Sequence, residues 1–252
     1  MGKLKVGAQL IIWGKRISTD IEGVLDEVAS LAYEGVETGP VAFENIADPK
    51  KALASRRLSL AGLHMGVTAA DTAATDKALG ILNKTDGRYL LFSGAGGKEN
   101  SDTEYLQNSK KLEEFGKRAL KRGVKVCYHN HWQEIVNNAR GIQVILENTN
   151  PEHVALCVDT YWVKCGGLSP VEFIREHEPR VAYLHLKDGT EEGIRKHEFS
   201  ELGRGIIDFP ATMKAVKGLN IEWAVVEQDR TNLPPKESMA ASREYLREKL
   251  KL

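Results

Sequence analysis

The chain has 252 residues, long enough to bury most of its apolar surface in one large domain without disulfide or metal staples. Hydrophobic residues make up 42% and charged residues 28%, with neither low-complexity tracts nor blocks of like charge, which excludes a largely disordered chain. The 35 Lys and Arg balance 35 Asp and Glu, so no general field draws the protein to nucleic acid or to an anionic membrane.

In chain order, apolar or alternating runs predict strands over 5–13, 35–40, 58–66, 89–95, 125–132, 154–163, 181–187 and 223–228. Segments with helical spacing and charge follow them at 21–33, 48–57, 71–83, 103–122, 141–148, 170–176, 209–216 and 236–249, several behind a Ser, Thr or Asp able to cap a first turn. Strand-then-helix units recurring every roughly 30 residues have the size of right-handed βαβ units. Closure of such units leaves no open parallel edge, so the expectation is an α/β fold, a (β/α)8 TIM barrel, as a single domain over 1–252. An open doubly wound sheet is the rival, but no GxGxxG follows the first strand. Gly94-Ala95-Gly96-Gly97 comes after the fourth and opens no phosphate loop.

Cys127, Cys157 and Cys165 lack CxxC spacing, and their odd number argues against a disulfide framework, so a reducing, cytoplasmic compartment is expected. The start, MGKLKVGAQLIIWG, holds too short an apolar run for a secretory signal, and no stretch approaches a membrane span.

In such a barrel the chemistry projects from the C-terminal ends of the strands. Strand three ends at His64, and strand five runs into His129-Asn130-His131-Trp132-Gln133-Glu134. Strand six reaches Asp159-Thr160-Tyr161-Trp162, strand seven His185-Leu186-Lys187-Asp188, and strand eight Glu227-Gln228-Asp229. Glu134, Asp159, His185 and Glu227 are three carboxylates and one imidazole from four consecutive strand ends. Acids gathered in a dry site are tolerable when a cation sits among them, and this donor set suits one divalent ion, Mn, Mg, Co or Zn, in a catalytic rather than a structural site. Each residue also has a plainer reading: a strand-end His is commonly a hydrogen-bonded core residue, and an acid past a strand is commonly a helix cap. Their coincidence on consecutive strands favours ligation. Glu134 lies past the strand's end, and His129, inside it, is the other candidate for its place.

YHNHWQE, CVDTYWVKCGGLSP, HLKDG, ELGRGIIDF and VVEQD, in that order, resemble the motifs of the xylose-isomerase-like TIM-barrel proteins called sugar phosphate isomerases/epimerases, a group that includes inosose dehydratase-like enzymes. The resemblance is densest over 123–230. It implies a divalent ion chelating adjacent oxygens of a sugar, with Asp159, His185 and Glu227 as ligands. Many relatives carry Glu-Asn-His where this chain has His129-Asn130-His131, which leaves the fourth ligand open between Glu134 and His129. Relatives also carry Asp-x-x-His where this chain has Asp159-Thr160-Tyr161-Trp162; an indole cannot act as a base, but its face can stack on a sugar ring. Trp162 is therefore expected either as a carbohydrate platform or as a half-buried packing residue.

The expected reaction is proton abstraction next to a carbonyl through a metal-stabilised enediolate. Glu134 and Glu227 match the paired catalytic glutamates of the epimerases, with His131 and His64 as relays. His64, His129, Trp162, Lys187 and Arg204 are the expected substrate-binding residues; Lys187 and Asp188 read equally as a solvated turn. Enolisation can end in isomerisation or epimerisation, in dehydration as in inosose dehydratase, or in cleavage of a 3-keto-glycoside. The partner is a small carbohydrate, with no nucleic acid and no membrane, and the resemblance allows a homo-oligomer. An abasic-site endonuclease, which shares the fold, needs several metals and a basic face that a net charge of zero does not supply. A non-catalytic sugar-binding protein is the remaining rival.

Overall fold

The computed structural model describes residues 4–44 and 46–252. Eight strands, β1 (Lys5–Gln9), β2 (Gly35–Thr38), β3 (Ser59–Gly66), β4 (Tyr89–Ser93), β5 (Lys125–His129), β6 (Val154–Asp159), β7 (Val181–Leu186) and β8 (Trp223–Val226), run parallel in sequence order. They close into the expected (β/α)8 TIM barrel, with β8 pairing back onto β1. Most strands end sooner than the apolar runs suggest. The letters beyond them belong to short helices folded over the barrel mouth, Leu10–Trp13 after β1 and Thr160–Cys165 after β6. A short apolar run does not distinguish a strand from a buried helical turn.

Alternation along the strands separates two cores. Val126, Leu156 and Leu184 belong to the larger one, together with Leu112, Ile142 and Ile174 of the surrounding helices. Cys127, Cys157, Tyr183, Trp223 and Val225 point the other way and, with Ala61 and Leu91, plug the barrel interior. One step of two residues beyond this plug, on the same inward face, carries the chain to His129, Asp159, His185 and Glu227. The register places Asp159 beside His185 and His129 beside Cys157, so these side chains reach similar heights at the mouth.

Segment 189–208 is organised by one buried carboxylate. Asp188 accepts the backbone N–H groups of Gly189 (2.9 Å), Gly203 (2.9 Å), Gly205 (3.0 Å) and Ile207 (3.2 Å). A Cβ on Gly205 would collide with that carboxylate, and Gly203 has a φ of +80°, which accounts for both glycines of ELGRG. Asp188 is thus neither a substrate contact nor a solvated turn. Asp188→Ala leaves four amides without their acceptor and is expected to cost about 3–5 kcal/mol, measured as a lower urea midpoint with first proteolytic cuts within 189–208.

Candidate metal centre

His129, Asp159, His185 and Glu227 each offer one ligand atom, and the four atoms lie within 4.8 Å of one another. His185 Nδ1 is 2.6 Å from Glu227 Oε2, and His129 Nε2 is 3.4 Å from Asp159 Oδ2 and 3.9 Å from Glu227 Oε2. All four side chains are buried, and these four atoms have no hydrogen-bond partner among the described residues. The second oxygen of each carboxylate is held by the protein: Asp159 Oδ1 accepts the Trp162 N–H (2.8 Å), and Glu227 Oε1 accepts from Lys187 Nζ (2.8 Å). Buried polar atoms nearly always find partners. Two carboxylate oxygens and two imidazole nitrogens converging without one form a donor set that fits a divalent cation.

The electrostatics agree with that fit. Burial pushes Asp159 up to about 6, and burial together with the charge of His185 pushes His129 well down. Burial alone would raise Glu227, but Lys187 and His185 outweigh it and keep the carboxyl well below its usual range. Lys187 is buried, with Nζ 2.7 Å from Asp229 Oδ1 and 4.0 Å from Asp159 Oδ2 as well as on Glu227, and these acids hold it charged against the cost of burial. Asn130 braces the mouth through a reciprocal pair: its Oδ1 accepts the Asp159 N–H (3.0 Å), and its Nδ2 donates to the Asp159 carbonyl (3.4 Å).

The structure places several of the candidate residues away from the cluster or from open solvent. Glu134 stands outside the cluster: its carboxylate accepts the Tyr128 hydroxyl (2.8 Å) and the His131 N–H (2.8 Å). A helical segment begins at Trp132, and a Glu at its third position reaches back to cap its own N-terminus, so His129 takes the place at the cluster. His129 accordingly sits, fully buried, among the candidate ligand atoms. Trp162 is 6% exposed, its ring lying against Lys187 Nζ (4.9 Å) and the rings of Tyr161 and His131, so no face is open to a sugar. Lys187 donates two hydrogen bonds to acids, Glu227 and Asp229. Arg204, 60% exposed, pairs with Glu201 (2.9 Å) away from the cleft.

His64 and His131 do line a cleft of about 440 Å³ over the strand ends, together with Ser93, Glu227 and Asp229. Burial and the neighbouring His129 push His131 down to about 3, leaving it neutral. Glu37, which is not among the residues expected from the sequence, is fully buried on β2 with its oxygens on His185 Nε2 (2.7 Å) and His64 Nδ1 (3.2 Å). Its signal was present: an acid in GVET, two residues beyond the inward-facing Gly35.

A family model described as xylose isomerase-like TIM barrel matches residues 25–249. Inosose dehydratase of Clostridium botulinum is 26% identical over 98% of this chain and 97% of that protein. A solved sugar phosphate isomerase/epimerase from Parabacteroides distasonis superposes with a TM-score of 0.80 at 20% identity, covering 97% of this chain and 94% of that one. The IolI protein, solved with a zinc atom bound, superposes with a TM-score of 0.73 at 14% identity over 97% of each chain. With its closed parallel barrel and nearly its whole length matched, the chain belongs to the xylose isomerase-like TIM-barrel family.

Proposed function

We propose that this chain is a divalent-metal-dependent sugar isomerase or epimerase that abstracts a proton next to a substrate carbonyl. One observation carries the reading: two carboxylate oxygens and two imidazole nitrogens, buried and without hydrogen-bond partners among the described residues, converge beside a cleft that Glu227 lines. His129, Asp159, His185 and Glu227 would hold a divalent ion, which would supply Lewis acidity towards a carbonyl and its neighbouring hydroxyl. Two imidazoles in place of one favour Mn, Co or Zn over Mg. Glu227 lines the cleft as the group that takes the proton, on Oε1, with Oε2 left to the ion and Lys187 Nζ 2.8 Å from Oε1. His131, neutral in the cleft wall, and His64 bind substrate hydroxyls.

A specific observation favours a second reading, dehydration. Glu134, which would have paired with Glu227, is turned onto Tyr128, so the two-glutamate scheme for delivering a proton to the opposite face is lost. A single base can instead remove the proton and hand it to a departing hydroxyl. Relatives named inosose dehydratase point the same way.

Two measurements test these readings. Mn at about 100 times its Kd is expected to stabilise the protein by about 2.7 kcal/mol. At this chain length that is a rise in Tm of about 5–10 °C; no rise up to millimolar Mn counts against the centre. Incubation of the Mn-loaded protein in D2O with ketoses, inososes and 3-keto-glycosides then separates the outcomes by NMR. Deuterium in a recovered or rearranged sugar marks an isomerase or epimerase, and loss of a hydroxyl marks a dehydratase. If no carbon acid in the set exchanges, enolisation is wrong.

A further inference from the structure

Glu37 lies on the inward face of β2, in register with Gln9 of β1 and Gly62 of β3, and is fully buried. Its two oxygens serve two rings from different strands. Oε2 is 2.7 Å from His185 Nε2, and Oε1 is 3.2 Å from His64 Nδ1, whose Nε2 lies 3.1 Å from Ser93 Oγ. An ionised carboxylate only accepts, so each imidazole must present an N–H to it. For His185 this puts a proton on Nε2, so Nδ1, 2.6 Å from Glu227 Oε2 and facing the cluster, is the nitrogen that would be offered to an ion. For His64 it puts a proton on Nδ1, so Nε2 accepts the Ser93 hydroxyl at the cleft wall.

We infer that Glu37 is a positioning residue for the proposed centre: one buried carboxylate fixes the tautomer and ring orientation of the ligand His185 and, through its second oxygen, those of the cleft-lining His64. A carboxylate behind a metal-bound imidazole aims the ring and raises its basicity. Glu37 adds a second task, coupling the ligand to a residue that faces substrate. Glu37, His64 and Glu227 also come within 4.8 Å of one another, a grouping that a second ion could use. Both Glu37 oxygens already face imidazole nitrogens at hydrogen-bond distance, so shared protons account for this grouping.

The inference rests on the metal reading, and the experiment separates the two. In the zinc-loaded protein labelled with 15N-histidine, His185 is expected to show a metal-bound Nδ1 and a protonated Nε2, and His64 a protonated Nδ1. Glu37→Gln must turn its amide NH2 towards one of the rings and disturb its tautomer. It is expected to weaken zinc binding about 10- to 100-fold by calorimetry, with the circular dichroism spectrum retained and Glu37→Asp recovering part of the loss. Zinc on His185 Nε2, two ions per chain, or binding within twofold of wild type in Glu37→Gln overturns the inference. Should Glu37→Gln not fold, the wild-type spectra still decide. A wild-type protein that takes up no zinc removes the metal reading and this inference with it, an outcome distinct from equal binding by wild type and variant.

Discussion

Glu227→Gln is expected to abolish proton exchange between solvent and a keto-sugar, by about 10³-fold at saturating Mn, within the range for loss of a general base. The substitution keeps the shape and removes the charge. In the native chain Oε1 accepts from Lys187 and Oε2 faces the cluster 2.6 Å from His185 Nδ1. A glutamine can satisfy only one of these demands: with its oxygen on Lys187, its NH2 points at the other ligands and repels a cation. Mn affinity should therefore fall along with exchange, and both are measured on one preparation by calorimetry and by NMR in D2O. A non-catalytic sugar-binding protein would show no exchange in the wild type and would keep its sugar affinity in the variant. Exchange within tenfold of wild type would remove Glu227 from the chemistry.

Lys187→Met is expected to destabilise the metal-free protein by about 3–5 kcal/mol at pH 8, because removing one member of a buried ion cluster leaves the others uncompensated. Glu227 and Asp229 lie 2.8 and 2.7 Å from the ammonium, with Asp159 at 4.0 Å. The pH dependence has a definite sign. Burial already holds Asp159 and Asp229 up at about 6, and without the lysine they rise further. A carboxyl whose pKa is raised by folding contributes stability below its unfolded value and loses it as pH climbs through the folded one. The gap in Tm between variant and wild type should therefore narrow towards pH 5 and widen towards pH 8. A gap independent of pH would mean that lost packing against Trp162 and Phe199, rather than lost charge, sets the effect.

The strand count, the starts of the strands and the sign of the site were legible in the letters. These strands are buried on both faces and read as unbroken apolar runs, so the first strongly polar letters, two residues beyond Cys127, Cys157, Tyr183 and Val225, mark the strand ends at the mouth. Asp159, His185 and Glu227 could be picked for that reason, and the structure brings them together with His129. The choice between Glu134 and His129 stayed open because HWQE looks the same whether it extends a strand or opens a helix. The decision lay with Tyr128 and the free N–H of His131, which only the folded mouth places beside that carboxylate.

Glu37, Lys187 and Trp162 mark the limit more sharply. Glu37 meets His185 across 148 positions of sequence, and no local pattern predicts that pairing. Lys187 reads as a mouth-of-barrel cation free to bind hydroxyls until the closed barrel surrounds it with acids from β6 and from beyond β8. Chain order and alternation by themselves determined a closed barrel with acids and imidazoles at one rim, because backbone hydrogen bonding and burial follow from neighbours in sequence. Which of those groups share a point, and which are used up in caps and ion pairs, was decided by tertiary structure alone, because these contacts form between strands that meet only when the barrel closes.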